Sequence, residues 1–292
     1  MTSPISCVTL IYPQSIAEQA LILIQALQQL IVEAKLPLSI EAVASEQKLT
    51  QKIRKQLSQQ YQQPLLVIDD KQQLTLLTNG VSVSPEWNSL QRRVVSAGRK
   101  SELLLQATKL TASSRVLDAT AGFGHDSLIL ASSGAQLTLL ERNPLMVLLL
   151  KYEQQMMAKQ PNWQKLMARL HIVCAESTEY MQPAPTACDL QAQTISHAFD
   201  VIYLDPMFPE SSYAHSSKGA KVGKHMQALH QIAEPPSLKE EQALLSLALS
   251  FVAPGGRVVV KRPIQAPVFA SQAANESWQN DVVRFDAYFT YL

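Results

Sequence analysis

The alternation of short apolar runs with helical segments beyond residue 110 constrains the fold of this chain most strongly. Strands are predicted at Arg115–Ala119, Gln136–Glu141, Leu170–Cys174, Phe199–Leu204 and Gly256–Lys261, with one or two closing β segments at Val282–Tyr291. Helices are predicted at Gly124–Ser133, at Pro144–Met157 with Asn143 as N-cap, and at Leu238–Val252. Because strands that are apolar on both faces need helices on both sides, this pattern predicts an α/β fold with a mostly parallel sheet.

The first 85 residues predict a smaller α/β unit. Its expected elements are a strand, an amphipathic helix, an exposed helix and a hairpin, at Val8–Tyr12, Ser15–Ala34, Gln51–Gln63, and Leu65–Asp69 with Leu74–Thr78. Ser15 and Glu18 have the spacing of a capping box. We therefore predict a small N-terminal domain at residues 1–85 and a larger domain at residues 86–292. Loops are expected at Gln182–Ser196 and at Pro209–Glu234, the second as a substrate lid.

Composition and charge exclude several functional classes. The formal net charge is +1, so any nucleic-acid-binding face must be local rather than a property of the whole chain. Three cysteines without a Cys-x-x-Cys pair and six histidines without metal-ligand spacing favour neither a disulfide framework nor a metal site. The apolar stretch Ile16–Leu36 is interrupted by glutamates and glutamines, and no basic segment of a signal peptide precedes it. We expect a cytoplasmic protein without a membrane span.

A glycine-containing loop follows the first strand of the larger domain. It runs from Asp118 through Gly122 to Gly124, at the strand end where open α/β sheets bind their ligands. Glycines allow a tight turn and a close approach to a ligand. Ser127 stands where the dinucleotide fingerprint has its third glycine, which counts against NAD or FAD. The second strand ends at Glu141, 19 residues after Gly122, where a carboxylate either binds the ribose hydroxyls of an adenosine or simply faces solvent.

Further polar residues near the strand ends extend this predicted nucleoside site. Asp118 either holds the ammonium of a bound methionine moiety, directly or through water, or caps the following turn. Asp126 lies in the first turn of the next helix, where a carboxylate also favours the helix dipole. Arg142 either covers an adenine or faces solvent. Glu176 and Ser177 follow the third strand, from which they can reach the adenine edge.

The fourth strand ends in the most informative segment of the chain, Asp205-Pro206-Met207-Phe208-Pro209. An amine conjugated to an aromatic base is a poor nucleophile, because its lone pair is delocalised into the ring. The carboxylate of Asp205 and a carbonyl such as that of Pro206 can grip both amine hydrogens and aim the lone pair at an activated methyl group. Phe208 can stack on the target base. The alternative is a stiff strand-to-loop turn without chemistry.

Together these segments resemble the ribosomal RNA small subunit methyltransferase J family, the 16S ribosomal RNA guanine-N2 methyltransferases. The matching segments are Leu117–Asp126, Leu140–Pro144, Tyr203–Pro209, Lys224–His230 and Val259–Pro263, with Gln91–Arg93 and Gly98–Lys100 upstream. The resemblance covers the chain from about Gly80 onward. It implies a Rossmann-like S-adenosylmethionine-dependent methyltransferase sheet with a small N-terminal α/β extension. It also implies S-adenosyl-L-methionine as cofactor, and 16S ribosomal RNA or the assembling small subunit as partner.

The resemblance also implies individual cofactor contacts. They fall on the strand ends and the glycine loop, at His125, Asp126, Glu141, Arg142, Glu176, Ser177 and Asp205. The family usually has arginine where His125 stands and two serines where Glu176 and Ser177 stand, so these contacts are expected to differ. Met207 departs from the wider Asp/Asn-Pro-Pro-Tyr/Phe pattern of amine methyltransferases.

Basic residues form clusters that can hold phosphates if they converge around Asp205. The predicted RNA-binding residues are Arg92, Arg93, Arg99, Lys100, Lys221, Lys224, Lys261 and Arg262. Each cluster taken alone is more often just solvated surface. Three other hypotheses stay open: methyl transfer to another base, a protein or a small molecule; a non-catalytic nucleic-acid-binding protein on the same fold; and an NAD-dependent oxidoreductase.

Overall fold

Two β-sheets organise the chain, one on each side of the predicted boundary at residue 85. The computed structural model describes residues 6–61, 63–98, 100–182, 199–208 and 235–289. The strands of the first sheet are Ser6–Pro13 (β1), Leu38–Ser45 (β2), Leu65–Ile68 (β3), Leu74–Thr78 (β4) and Val81–Val83 (β5), and the helices beside them are Ala17–Glu33 (α1) and Gln51–Tyr61 (α2). The strand order is β2-β1-β3-β4-β5. β1 pairs in parallel with β2 and β3, and β3-β4 is the predicted hairpin.

Helix α1 is the core helix of the N-terminal part. Its buried residues recur at helical spacing and are Ala20, Leu23, Ile24, Leu27, Leu30 and Ile31. By length and composition Gln14–Glu33 could also cross a membrane, but this amphipathic face lies in the apolar core of the protein. The predicted capping box of Ser15 and Glu18 is wrong. Ser15 lies inside a 3-10 turn, and Ile16 precedes the helix without a side-chain hydrogen bond.

The second sheet carries the predicted parallel core. Its strands in the described part of the chain are Arg115–Asp118 (β6), Gln136–Glu141 (β7), Leu170–Cys174 (β8), Val201–Leu204 (β9), Arg257–Pro263 (β10), Glu276–Gln279 (β11) and Val283–Tyr288 (β12). Their order is β11-β12-β10-β9-β6-β7-β8. The five strands from β10 to β8 run parallel, and β12 is antiparallel to both of its neighbours. The strand order reverses between β6 and β9, which opens a crevice at their carboxyl ends.

Both faces of this second sheet are buried. Val116 and Tyr203 belong to one apolar cluster, whereas the adjacent Leu117 and Ile202 belong to another. The helices of this part are Gln91–Ser96 (α3), Leu103–Thr108 (α4), His125–Ser132 (α5), Pro144–Ala158 (α6), Gln164–Met167 (α7), Ser177–Tyr180 (α8) and Leu238–Phe251 (α9). This double burial explains why the strand sequences are continuous apolar runs rather than alternating ones.

Local signals fix where two of the long helices, α6 and α9, begin. The side chain of Asn143 accepts a hydrogen bond from the backbone N–H of Leu145 at 2.9 Å, and Pro144 occupies the first helical position of α6, as predicted. A capping box of Ser237 and Glu240 begins α9. Both helices therefore start at positions that short-range chemistry determines.

Several elements were not predicted from the sequence. The edge strand β2 is eight residues long but has a single fully buried side chain, whereas β5, β11, α3 and α4 are only three to six residues long, too short for a clear pattern. The C-terminal β segment is the single strand β12 in the described residues. The loops predicted at Gln182–Ser196 and Pro209–Glu234 lie outside the described residues, apart from Gln182.

The two sheets share one apolar core. Leu10 and Leu27 from the N-terminal part belong to the same cluster of buried side chains as Leu128 and Leu148 from the larger part. Trp87 lies at the junction and is fully buried. The boundary at residue 85 thus separates two sheets, and the division into two domains stays a prediction.

Candidate active site

The crevice between β6 and β9 brings the two predicted motifs together. The backbone N–H of Ala119 donates to the carbonyl of Tyr203 at 3.0 Å, which continues the pairing of the two strands. One residue further, the backbone N–H of Asp205 donates to the hydroxyl of Thr120 at 2.6 Å. The acid that ends β9 therefore lies directly beside the glycine loop, the arrangement that the catalytic hypothesis requires.

The two glycines of the loop have different surroundings. Both have left-handed backbone angles, with φ 53° at Gly122 and 71° at Gly124. A Cβ at Gly122 would have no described atom within 4 Å, so this residue borders open space in the crevice. A Cβ at Gly124 would lie 3.1 Å from the indole of Trp87. Gly122 leaves room for a ligand, and Gly124 makes room for the tryptophan.

Trp87 holds the glycine loop from the N-terminal side, and sequence reasoning missed it. Its indole N–H donates to the carbonyl of Phe123 at 2.7 Å, and its backbone N–H donates to the carboxylate of Glu153 at 3.1 Å. The indole thereby ties the N-terminal side of the chain to the glycine loop. A tryptophan shortly before β6 is the one hint that the sequence offers. Its hydrogen-bond partner, 36 residues later, is decided by the tertiary fold.

An ammonium and two carboxylates meet at the mouth of the crevice. Nζ of Lys261 lies 2.7 Å from Oδ2 of Asp126 and 2.9 Å from Oδ2 of Asp205. The buried hydroxyl of Tyr203 donates to the same oxygen of Asp126 at 2.7 Å. Lys261 was predicted to bind RNA phosphates. In this structure its ammonium is engaged by two acids of the site itself, Asp126 and Asp205.

Burial and charge act in opposite directions on this cluster. Burial disfavours the ammonium of Lys261, but the carboxylates of Asp126 and Asp205 outweigh it and raise its pKa. Burial also disfavours ionised Asp126, yet Lys261 and the hydrogen bond from Tyr203 lower the pKa of that carboxyl. At Asp205 burial prevails over Lys261, and repulsion from Asp126 adds to it, so its pKa is raised. The two acids therefore depend on one shared cation.

Asp118 lies beneath the loop and is 2% exposed. Its two oxygens accept hydrogen bonds from the hydroxyl of Ser127 at 2.5 Å and from the backbone N–H of Thr120 at 3.2 Å. Burial is the main cause that raises its pKa to about 7. The loop-capping alternative proposed for Asp118 is therefore realised in the structure, and it also explains Ser127 as a hydrogen-bond donor to this carboxylate.

Glu141 ends β7 at the same edge of the sheet as the glycine loop. Its carboxylate accepts the backbone N–H of Asn143 at 2.7 Å. Burial raises the pKa of Glu141, while hydrogen bonds from the backbones of Asn143 and Gly122 act against that rise. A half-buried carboxylate beside Gly122 is consistent with a hydrogen-bond acceptor that points toward a ligand rather than bulk solvent.

The remaining predicted cofactor residues already have protein partners. Arg142 and Glu176 form an ion pair with 3.6 Å between the closest atoms, and both side chains are partly exposed. The hydroxyl of Ser177 donates to the carbonyl of Ala119, so it ties α8 to the end of β6. A ring nitrogen of His125 lies 2.7 Å from the carbonyl of Pro85. These contacts organise the loop ends around the crevice.

Phe208 and Arg262, predicted to contact the base and the RNA, are buried against each other in this structure. The guanidinium of Arg262 lies over the rings of Phe208 and Phe269, at 4.7 and 5.3 Å, and pairs with Glu241 at 3.0 Å. The side chain of Arg262 is 3% exposed, so it cannot serve as a phosphate contact. Phe208 is 3% exposed, which leaves no free face for a base in this structure. Along β10 successive side chains alternate, which turns Lys261 into the crevice and Arg262 away from it.

The other predicted RNA contacts are only partly described. Arg92 and Lys100 are exposed. Arg93 is held by two hydrogen bonds of 2.9 Å to Glu102, and these raise the pKa of its guanidinium. Three further predicted contacts lie outside the described residues: Arg99, Lys221 and Lys224.

Comparison with known proteins also indicates a methyltransferase. A family model described as "Putative SAM-dependent methyltransferase" matches residues 44–290. The crystal structure of a SAM-dependent methyltransferase from Neisseria gonorrhoeae is 25% identical and superposes with a TM-score of 0.64, covering 96% of this chain and 95% of that one. Fold, site and family together define an S-adenosylmethionine-dependent methyltransferase.

Closer relatives identify the family within that class. "Ribosomal RNA small subunit methyltransferase J" of Psychrobacter cryohalolentis is 55% identical over 99% of this chain and 97% of its own length. The protein of the same name from Acinetobacter baumannii is 38% identical over 75% of this chain and 76% of its own length. The chain belongs to the ribosomal RNA small subunit methyltransferase J family, which confirms the family indicated by its motifs.

S-adenosyl-L-methionine is the cofactor of this class, and the residues present fit it. The space beside Gly122 is a cradle that a Cβ would fill. Glu141 presents a half-buried carboxylate at the adjoining strand end. Carboxylates accept hydrogen bonds and carry negative charge, so together with the backbone groups they suit a ligand that carries hydroxyls and positive charge.

Proposed function

We propose that this enzyme methylates the exocyclic N2 amine of a guanosine in 16S ribosomal RNA, within the cytoplasm. The relatives' name indicates small-subunit ribosomal RNA as their substrate. The observation that carries the proposal is the position of Asp205, fixed beside the glycine loop by Thr120 and beside Asp126 by Lys261. A carboxylate in this place can meet both the cofactor and an acceptor amine.

For the cofactor, we assign Glu141 as the hydrogen-bond acceptor for the ribose hydroxyls, and Gly122 as the place where the cofactor comes close to the backbone. Asp126 supplies negative charge near the loop, and Asp118 adds to it above its pKa of about 7, which favours a ligand with a cationic amino-acid end. When bound, S-adenosyl-L-methionine supplies an electrophilic methyl group on sulfur. Arg142 and Glu176, paired at the rim, are placed to border the adenine.

For the acceptor, Asp205 and the carbonyl of Pro206 orient the amine. Oδ2 of Asp205 accepts from Lys261, while its Oδ1 accepts no hydrogen bond from the described residues. Oδ1 and the carbonyl of Pro206 can each accept one amine hydrogen, which holds the nitrogen lone pair toward the methyl group. Transfer would exchange the methyl–sulfur bond for a methyl–nitrogen bond, with the electron pair left on sulfur, and the nitrogen would lose one proton to Asp205 or to water.

For RNA binding, we propose that the target base leaves its stack to enter the crevice, at a cost of about a few kcal/mol. Exposed Arg92 and Lys100, with Arg99, Lys221 and Lys224, are the proposed phosphate contacts. Neutralising them should weaken binding in a strongly salt-dependent way. An assembling subunit with mobile helix ends would present such a base more readily than a fully stacked helix.

The proposal is tested by methyl transfer from labelled S-adenosyl-L-methionine to small ribosomal subunits that lack the modification, followed by nucleoside analysis. We expect label in N2-methylguanosine with the wild-type enzyme, and none with Asp205→Ala under saturating cofactor. Glu141→Ala is the matched control, in which cofactor affinity falls by about 1–3 kcal/mol. Label in another base or in protein would refute the guanine assignment. Wild-type activity in Asp205→Ala would remove this acid from the mechanism.

A further inference from the structure

Lys261 stands at a position that the sheet register itself determines. Strands β9 and β10 run parallel, and Leu204 is paired with Val260. The next residue on each strand is Asp205 on β9 and Lys261 on β10, so the two side chains emerge at the same height of the crevice. The ammonium then lies between Asp205 and Asp126, within hydrogen-bond distance of both.

We propose that Lys261 is a positioning residue for methyl transfer: it keeps Asp205 anionic and engages one carboxylate oxygen, so that the other faces the acceptor amine. This inference rests on the proposed role of Asp205. Lys261 does not touch the acceptor in this arrangement. It acts through Asp205, and Asp126 with Tyr203 holds the ammonium in place.

The need for such a cation follows from the charges around the crevice. Asp118 approaches from β6, Asp126 from α5, and Asp205 from the end of β9. The neutral hydroxyl of Tyr203 also faces this group, and Arg93 on α3 acts on Asp126 from further away. Adjacent carboxylates at low dielectric cannot all ionise, so a proton would bind one of them without a nearby cation.

A protonated Asp205 could not perform the proposed task. One of its oxygens would become a donor, and it could neither accept an amine hydrogen there nor take up the proton released after transfer. Lys261 lies 2.9 Å from Asp205. An opposite charge at this distance typically lowers a carboxyl pKa by about one to three units.

The test is the pH profile of kcat/KM for methyl transfer to unmodified small subunits, measured with wild type, Lys261→Met and Lys261→Arg. The rise of activity with pH reports the apparent pKa of the coupled acids. We expect Lys261→Met to move this rise upward by about one to three pH units. Lys261→Arg retains the charge and should restore the wild-type profile with a lower kcat. Lys52→Met, at an exposed lysine of α2, is the control and should leave the profile unchanged.

A second variant should shift the pH profile in the opposite direction, and it can be measured even if Lys261→Met does not fold. Asp126→Asn removes the competing carboxylate, so Lys261 serves Asp205 alone and the rise should move to lower pH. A purely structural lysine would leave the profile of Lys261→Met at the position of the wild type. The proposal is overturned if Lys261→Met titrates as wild type, or if Asp126→Asn leaves the rise unchanged or moves it upward. If the wild type labels an acceptor other than guanine, the proposed function fails, while the pH profiles can still be measured on that acceptor.

Discussion

The glycine pair of the cofactor loop allows packing and ligand binding to be separated by single methyl groups. Alanine at either Gly122 or Gly124 must adopt a left-handed backbone, which costs about 1–2 kcal/mol. At Gly124 the new Cβ would also lie 3.1 Å from Trp87 and 3.4 Å from Leu150. Carbon atoms prefer separations of about 3.5–4.0 Å. Such overpacking adds about 1–3 kcal/mol.

We therefore expect Gly122→Ala to lower the free energy of unfolding by about 1–2 kcal/mol and Gly124→Ala by about 2–5 kcal/mol. Cofactor affinity should show the reverse order. The methyl group at position 122 enters the open space of the crevice, whereas the methyl group at 124 points toward Trp87. Urea unfolding followed by circular dichroism gives the first quantity, and calorimetric titration with S-adenosyl-L-methionine gives the second.

These separate roles of the two glycines are refuted if both substitutions destabilise the protein equally, or if Gly124→Ala weakens cofactor binding more than Gly122→Ala. A double-mutant cycle with Trp87→Ala provides the internal control. Once the indole is removed, the extra cost at position 124 should disappear and leave only the backbone contribution. An unchanged cost in that background would show that Trp87 is not the source of the restriction.

Two further predictions concern buried charges. The raised pKa of Asp118, about 7 against an ordinary 3.8, means that the folded state binds the proton more tightly, so its contribution to stability falls as pH rises from about 4 to about 7. Asp118→Asn should remove up to about 4 kcal/mol of this decline. Urea unfolding at several pH values measures it, and the same pH dependence of the free energy of unfolding in both proteins would contradict the prediction. Arg262→Met should destabilise the fold by about 3–5 kcal/mol, because Glu241 loses its buried partner. The exposed control Arg92→Met should change stability by less than about 0.5 kcal/mol, and a stability loss in Arg262→Met no larger than in this control would show that the pair is not structural.

The sequence alone was sufficient to predict features that depend on residues close together in the chain. Apolar runs and helical periodicity predicted the strands β6 to β10 and the helices α5, α6 and α9 to within a few residues. The N-cap at Asn143 and the glycine turn are likewise set by short-range sterics and hydrogen bonds. Such patterns also sufficed for the family, because its motifs are contiguous stretches of the chain.

Only the tertiary structure decided which side chains meet. Lys261 and Arg262 are adjacent in sequence and both were predicted to bind RNA, yet the pleat of β10 directs one to the acids of the crevice and buries the other over Phe208. Lys261 forms hydrogen bonds with Asp205 and Asp126, which are 56 and 135 residues away in the sequence. Trp87 finds the glycine loop from the N-terminal side. The physical reason is that partners of a buried charge are set by strand register and by the packing of two sheets, and these long-range contacts leave no periodic signal in the residues that make them.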